Sequence, residues 1–213
     1  MIEYYKYHGI GQIPIYTTHL CVMDVVNDML PAIPNTVTHI MFGYYYNLIT
    51  DNLPASVTHV DFGENYNQPT NNLPSSITHL TFGNHYNQPT NNLPSSITHL
   101  TFGDHYNQPT DYLPNTIIYI AFDELYNQPT HWLPSNLKYL SFGEYYQQPL
   151  HELPHSVTHL MLGNTDYHYI ADLFDKYNLI STDIDELEEF TNINNHRIKC
   201  SSITLIDCCL PFL

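Results

Sequence analysis

The sequence predicts a mainly β solenoid, a chain wound into stacked turns of about twenty residues each. Three observations carry this. First, an aliphatic–proline pair recurs as Ile13–Pro14, Ile33–Pro34, Leu53–Pro54, Leu73–Pro74, Leu93–Pro94, Leu113–Pro114, Leu133–Pro134 and Leu153–Pro154, twenty residues apart each time and without insertion. Second, residues 73–92 read LPSSITHLTFGNHYNQPTNN, and residues 93–112 repeat them almost letter for letter as LPSSITHLTFGDHYNQPTDY. Third, each block holds one short alternating apolar–polar segment, the strand period. Two prolines per block, such as Pro74 and Pro89, then leave no room for a helix on the return path.

Taken in order, the first block is degenerate. Its strand falls at His19-Leu20-Cys21-Val22, it lacks the motif between Met23 and Leu30, and it is expected to start the stack. In a full block, Leu80 and Phe82 point inward while His79 and Thr81 point outward, and Ile77 turns inward one step before the strand. Their counterparts are Ile40 with Phe42, Val60 with Phe62, Leu100 with Phe102, Ile120 with Phe122, Leu140 with Phe142, and Leu160 with Leu162. Stacked in parallel at roughly 4.8 Å, these strands would run a phenylalanine column down the interior.

Gly83 ends the strand, as do Gly43, Gly63, Gly103, Gly143 and Gly163, with Asp123 in the remaining block. Glycine tolerates positive φ, and aspartate less easily, so a sharp bend is expected there. Tyr86 and its counterparts Tyr46, Tyr66, Tyr106, Tyr126 and Tyr146 are expected to close the core with the ring and keep the hydroxyl near water. Asn47, Asn67, Asn87, Asn107 and Asn127, with Gln147 after them, form a row of amides suited to bonding the backbone of the bends from turn to turn.

Beyond Thr165 the period is lost. Ile170, Leu173, Phe174 and Tyr177 follow helical spacing, and Ser181-Thr182-Asp183 can cap a second helix running to Phe190. Arg197 to Asp207 reads as a strand. The expected organisation is an N-terminal cap with the degenerate block over 1–32, a solenoid over 33–165, and a C-terminal cap over 166–213 that covers the last turn.

The block pattern Leu/Ile-Pro-x-Ser-Ile/Val-Thr-His-Leu-x-Phe-Gly-x-x-Tyr-Asn-Gln-Pro resembles the FNIP repeat, a relative of the leucine-rich repeat found in social amoebae and giant viruses. The resemblance runs from about residue 33 to 165, with a weak extension back to 13. The aromatic before Asn-Gln-Pro is Tyr here where the family favours Phe, and the unit is slightly shorter than usual. The resemblance implies a leucine-rich-repeat-like, right-handed parallel coil whose concave sheet makes protein contacts. Some relatives carry an N-terminal F-box. Only a dozen residues precede the first block, so no F-box and no ligase-adaptor role is expected.

Composition narrows the partner. Five basic residues stand against 21 acidic ones, a net charge of −16. Such a chain has little to offer a phosphate backbone or an anionic membrane, whereas a basic protein partner is compatible. No apolar run reaches the length of a spanning helix, and the first residues lack the pattern of a secretory signal. Cys21, Cys200, Cys208 and Cys209 are too few and too clustered for a disulfide framework, which points to a reducing compartment, the cytoplasm or, for a viral protein, the host cytoplasm. With His196, the last three cysteines match no zinc spacing and are expected to be free thiols.

The candidate functional surface is the outward side of the sheet. One row is His19, His39, His59, His79, His99, Tyr119, Tyr139 and His159. Its neighbour is Cys21, Met41, Asp61, Thr81, Thr101, Ala121, Ser141 and Met161. His39, His59, His79, His99, Tyr119, Tyr139, His159, Asp61, Thr81 and Thr101 are the expected partner contacts, with Glu64, Asp104, Glu124 and Glu144 as an acidic rim. Protonated imidazoles in a row would repel one another, so their pKa values should fall and be coupled. The row could thus act as a low-pH switch, or adjacent imidazoles could hold a transition metal, although a straight row offers only two ligands at a time. The expectation is that Thr-His is a repeat consensus suited to an exposed parallel strand, with no metal or other cofactor. No phosphate-binding loop, nucleophile elbow or carboxylate pair stands out. The expected function is a non-enzymatic interaction scaffold, with end-to-end self-association as the alternative.

Overall fold

In the computed structural model, residues 4–9, 11–23, 30 and 32–163 are described, together with the backbone strands at 197–199 and 204–206. The strands are β1 (Tyr5–Tyr7), β2 (His19–Val22), β3 (His39–Phe42), β4 (His59–Asp61), β5 (His79–Thr81), β6 (His99–Thr101), β7 (Tyr119–Ala121), β8 (Tyr139–Phe142), β9 (His159–Leu162), β10 (Arg197–Lys199) and β11 (Thr204–Ile206). They form one sheet in the order β1 to β9, then β11, then β10. From β1 to β9 every pairing is parallel. The register pairs His19 with His39, His39 with His59, His59 with His79 and His79 with His99, so each twenty-residue block lays one strand directly beside the last.

The stack begins one strand earlier than the leucine–proline mark indicates. Tyr5–Tyr7 pairs with Leu20–Val22 and covers the edge that the degenerate block would otherwise expose. At the other end, β11 pairs parallel with β9, and β10 pairs antiparallel with β11. The single strand expected over Arg197–Asp207 is therefore a hairpin, and it covers the edge of the last turn. The two helices expected between 170 and 190, and the clustered cysteines, lie outside the described residues.

Each turn is closed by tight backbone bends rather than by a helix. The N–H of Ile77 donates to the carbonyl of Pro74, and that of Tyr86 donates to the carbonyl of Gly83. Equivalent bonds recur in neighbouring turns, Val57 to Pro54 and Tyr66 to Gly63 among them. A third bend is bonded in the later turns, from Leu113 to Thr110 and from Leu133 to Thr130. Proline suits the first of these bends because the bend uses its carbonyl and asks nothing of its missing N–H.

The inward positions of one turn are Leu73, Ile77, Leu80, Phe82, Tyr86 and Thr90, all buried, and the same six positions are buried in the turns on either side. Phe82 lies flat on Tyr86 of its own turn at 3.7 Å between ring centroids, and on Phe102 of the next turn at 5.5 Å. This double aromatic column is the centre of the core, and offset stacking is a favoured arrangement for such rings.

Two expectations are corrected. The repeat glycines do not adopt positive φ; among the described glycines only Gly9 and Gly11 do. Glycine is favoured at the strand end by crowding, with Asp123 the one repeat position that carries a Cβ there. A Cβ on Gly103 would lie 2.6 Å from the Cα of Asn84 and from the carbonyl carbon of Gly83, inside backbone that cannot move aside. The tyrosine hydroxyls do not reach water either. Tyr66, Tyr86, Tyr106 and Tyr126 are fully buried, and each hydroxyl bonds the hydroxyl of a threonine one turn back: Thr50 at 3.1 Å, Thr70 at 3.2 Å, Thr90 at 2.9 Å and Thr110 at 3.4 Å. Tyr46 would need its partner at residue 30, which is leucine, and its buried hydroxyl has no bond. Burial raises the pKa of Tyr66 to about 12 and pushes Tyr86 and Tyr106 up as well.

The amide row is the ladder the sequence implies. Asn67 Oδ1 accepts from the N–H of Asn87 at 3.0 Å and from Nε2 of Gln88 at 3.2 Å, and the same pair of bonds joins Asn47, Asn87, Asn107 and Asn127 to the turn that follows each. One side-chain oxygen thus satisfies a main-chain donor and a side-chain donor of the next turn.

Candidate functional site

The strand pleat sends Leu80 inward and His79 and Thr81 outward, and the register then aligns the outward side chains across turns. The imidazoles of His19, His39, His59, His79 and His99 stack face to face, with centroid separations of 4.3, 4.1, 4.2 and 4.3 Å. The column then loosens. His99 and Tyr119 are 5.7 Å apart, and Tyr139 and His159 are 4.5 Å apart.

The same repeat step gives different spacings at different depths. It moves a histidine ring 4.1–4.3 Å, a core phenylalanine ring 5.3–5.7 Å, and a core tyrosine ring 6.1–6.3 Å. Equivalent points of a curved stack travel farther the farther they lie from the axis of curvature. The histidine side of the sheet is therefore the concave side.

Each histidine is held by the residue before it. Nδ1 of His19, His39, His59, His79, His99 and His159 lies 2.8–3.0 Å from Oγ1 of the preceding threonine. In five of these six the threonine hydroxyl also lies 3.1–3.3 Å from the carbonyl of the residue one turn back. The tyrosines of the row follow Ile118 and Lys138, which cannot make this bond. Sequence reasoning passed over the tether, although the signal was visible: every histidine of the row follows a threonine, and neither tyrosine does.

The electrostatics follow the geometry. Burial against the sheet lowers the pKa values of His39, His59, His79 and His99, and for all but His99 neighbouring imidazoles add to it. His59, in the middle of the column, falls to about 4. The charged forms of these four imidazoles are disfavoured, and mutual repulsion, the cause read from the sequence, ranks second to desolvation. Asp61, on the same strand as His59, has its pKa raised by burial.

Thr81 and Thr101 lie half-buried beside the column, while Met41 is exposed and Ser141 buried. The acidic positions Glu64, Asp104 and Glu124 occupy their own row beyond the bend, where their carbonyls accept from the N–H groups of His85, Leu125 and Tyr145. The rim also includes Asp123, which the sequence presented only as a substitute for glycine. Its pKa is raised to about 6 by burial, then by the charge of Asp104 and a hydrogen bond with that side chain. Among the described residues, no three His, Cys, Asp or Glu side chains are grouped so as to hold a metal ion, and no helix is long and apolar enough to cross a membrane.

This architecture, a parallel sheet of single short strands with bend-only returns and a concave outward row, defines a leucine-rich-repeat-like solenoid. The chain belongs to the FNIP repeat family, which matches it over residues 27–65, 66–92, 86–124 and 126–165. Among solved structures it is similar to CroV588, a giant-virus protein described as a novel circular leucine-rich-repeat structure, at 37% identity and a TM-score of 0.67. That match takes in 82% of this chain but 28% of CroV588, so the chain spans little more than a quarter of that protein's length. YopM from Yersinia enterocolitica WA-314 is more distant, at 18% identity and a TM-score of 0.33 over 73% of this chain and 45% of that one. No curated protein matches the chain.

Proposed function

We propose that this protein is a non-enzymatic interaction scaffold whose concave sheet receives a protein or peptide partner. The fold is of a kind typical of interaction scaffolds. One observation supports the concave face in particular: the inward residues barely change from turn to turn, while the outward row beside the histidines runs Cys21, Met41, Asp61, Thr81, Thr101, Ala121, Ser141, Met161. A rigid frame with a free outer row is suited to recognition. On this reading His39, His59, His79, His99, Tyr119, Tyr139, His159, Asp61, Thr81 and Thr101 make the contacts. Glu64, Asp104, Glu124 and Glu144, in a chain of net charge −16, favour a basic segment over nucleic acid or an anionic membrane. The cysteine content fits a cytoplasmic setting, that of the host if the protein is viral.

The test is affinity capture from the native host with the parent chain and with His79→Ala/His99→Ala. A protein recovered by the parent and lost by the variant, with the circular dichroism of the two unchanged, is the expected result. Equal recovery by both would sink the assignment of this face. A second reading has its own support. The stack is curved, and CroV588, which it resembles over about a quarter of that protein's length, is circular. Copies of this chain joining end to end would extend the arc, and light scattering across a concentration series would then show growth.

A further inference from the structure

The tether fixes what the histidine column offers a partner. From His39 to His99, Nδ1 of each ring lies 2.8–2.9 Å from Oγ1 of the preceding threonine, so Nε2 is the nitrogen left for another contact. The same threonine oxygens lie 3.1–3.3 Å from the carbonyls of Thr18, Thr38, Thr58 and Thr78. A carbonyl only accepts. One arrangement alone therefore makes both contacts attractive: the hydroxyl accepts from Nδ1–H and donates to C=O. The proton then sits on Nδ1, and Nε2 carries a lone pair. Ring planes 9–16° apart, stacked at 4.1–4.3 Å, keep these in-plane lone pairs nearly parallel. They do not meet on one atom. They stand side by side as four separate acceptors. Burial against the sheet disfavours the protonation that would abolish them. The surroundings carry the matching sign. Between Lys6 and Lys138 the sequence holds no lysine or arginine, but it includes Asp51, Asp61, Glu64, Asp104, Asp123 and Glu124. Asp61 shares a strand and an outward side with His59.

Resting on the concave-face reading above, we propose that Nε2 of His39, His59, His79 and His99 seats the lysine or arginine side chains of a basic peptide segment, one N–H donor to each imidazole. A hydrogen bond from an ionised donor is about twice as strong as a neutral one. Rings stacked in one orientation also point the negative ends of their dipoles the same way, which favours a cation further. A neutral amide would gain the hydrogen bond alone. An acidic segment would bring acceptors to acceptors and be repelled by Asp61. The seat ends at His99, because Tyr119 and Tyr139 lack the tether and the exposed Lys138 precedes Tyr139.

The experiment has two readouts on the full chain. Nitrogen-15 resonances of the imidazoles report which ring nitrogen is protonated. Nδ1–H is expected in the parent, and Nε2–H in the tether variant Thr38→Val/Thr58→Val/Thr78→Val/Thr98→Val, used if its circular dichroism matches the parent. Thr58→Val alone gives the same test at His59 should the fourfold variant not fold. The binding probe is an octa-arginine peptide at physiological salt, with octa-glutamate as the control. Octa-arginine should bind the parent saturably, shift the Nε2 resonances of the four rings, and bind the fourfold variant about tenfold or more weakly, as expected for losing a hydrogen bond to a charged group. The variant keeps every histidine and every charge, so general attraction to an acidic chain predicts no difference. An Nε2–H parent, no binding of octa-arginine, equal binding by parent and variant, or binding that leaves the Nε2 resonances unmoved would overturn the inference. The concave-face reading survives any of these if His79→Ala/His99→Ala still loses its captured partner, and falls if it does not.

Discussion

From His19 to His99 the outward row is a tight column of tethered imidazoles; from Tyr119 to Tyr139 the tether is gone and the spacing at the junction opens to 5.7 Å. Beneath the two regions the core does not change. Phe102 to Phe122 is 5.4 Å and Phe122 to Phe142 is 5.7 Å, within the range of the earlier turns, and Ile120 and Leu140 stay buried. The frame is thus indifferent to what its concave face carries. Histidine there is not required by the stack, since Tyr119 and Tyr139 take the same row over an unchanged core.

The sharpest way to break this comparison is to cut the frame itself. Phe82→Ala removes a ring that touches Tyr86 at 3.7 Å and the phenylalanines above and below it, and should cost about 3–5 kcal/mol in denaturant unfolding. His79→Ala, one strand position from the inward Leu80, should cost far less. If both cost the same, frame and face are not separable.

A smaller effect sharpens the role of the column. The pKa values of His39, His59, His79 and His99 are lowered in the folded chain, that of His59 to about 4. Below the ordinary value of about 6.5 the unfolded chain takes up protons that the folded column resists. Melting temperature should therefore fall as pH drops from about 6.5 towards 4. Replacing the four histidines with glutamine should flatten that slope. A parent curve that is flat across this window would contradict the desolvated column.

The smallest effect belongs to the rim. The Asp123 carboxyl has its pKa raised to about 6, so its ionised form is disfavoured in the folded chain. That cost sets in as pH rises above the unfolded value near 4 and is complete above about 6. Asp123→Asn should stabilise the chain by a few tenths of a kcal/mol at pH 7 and not at pH 4, read as the difference in melting temperature between the two.

The solenoid was legible because its signals are local and repeated. The twenty-residue step fixes which residues stack, and the alternation Leu80, Thr81, Phe82 fixes which face each meets. The acceptors of the buried tyrosine hydroxyls were not legible. Thr50, Thr70, Thr90 and Thr110 sit sixteen residues before their tyrosines, in a stretch that reads as a polar loop. The glycines misled for a similar reason, because positive φ is a property of one residue, whereas the crowding at Gly103 comes from the turn beneath it. β1 escaped notice because no aliphatic–proline pair precedes it, so the first such pair, Ile13–Pro14, reads as the start of the stack. In the candidate site, the alignment of the histidines followed from the period. The threonine tether and the carboxyl pair of Asp104 with Asp123 did not, since both depend on atom positions that spacing alone does not set.

The unbroken twenty-residue step has a consequence for how such a protein can change length. Residues 73–92 and 93–112 are nearly interchangeable, and each turn bonds the next through the same backbone and amide acceptors. An in-frame duplication or loss of one block between them would leave every junction chemically unchanged. Growth or shrinkage by whole rungs is thus open to ordinary recombination, and the reach of the arc can be tuned in heredity without redesigning a single contact.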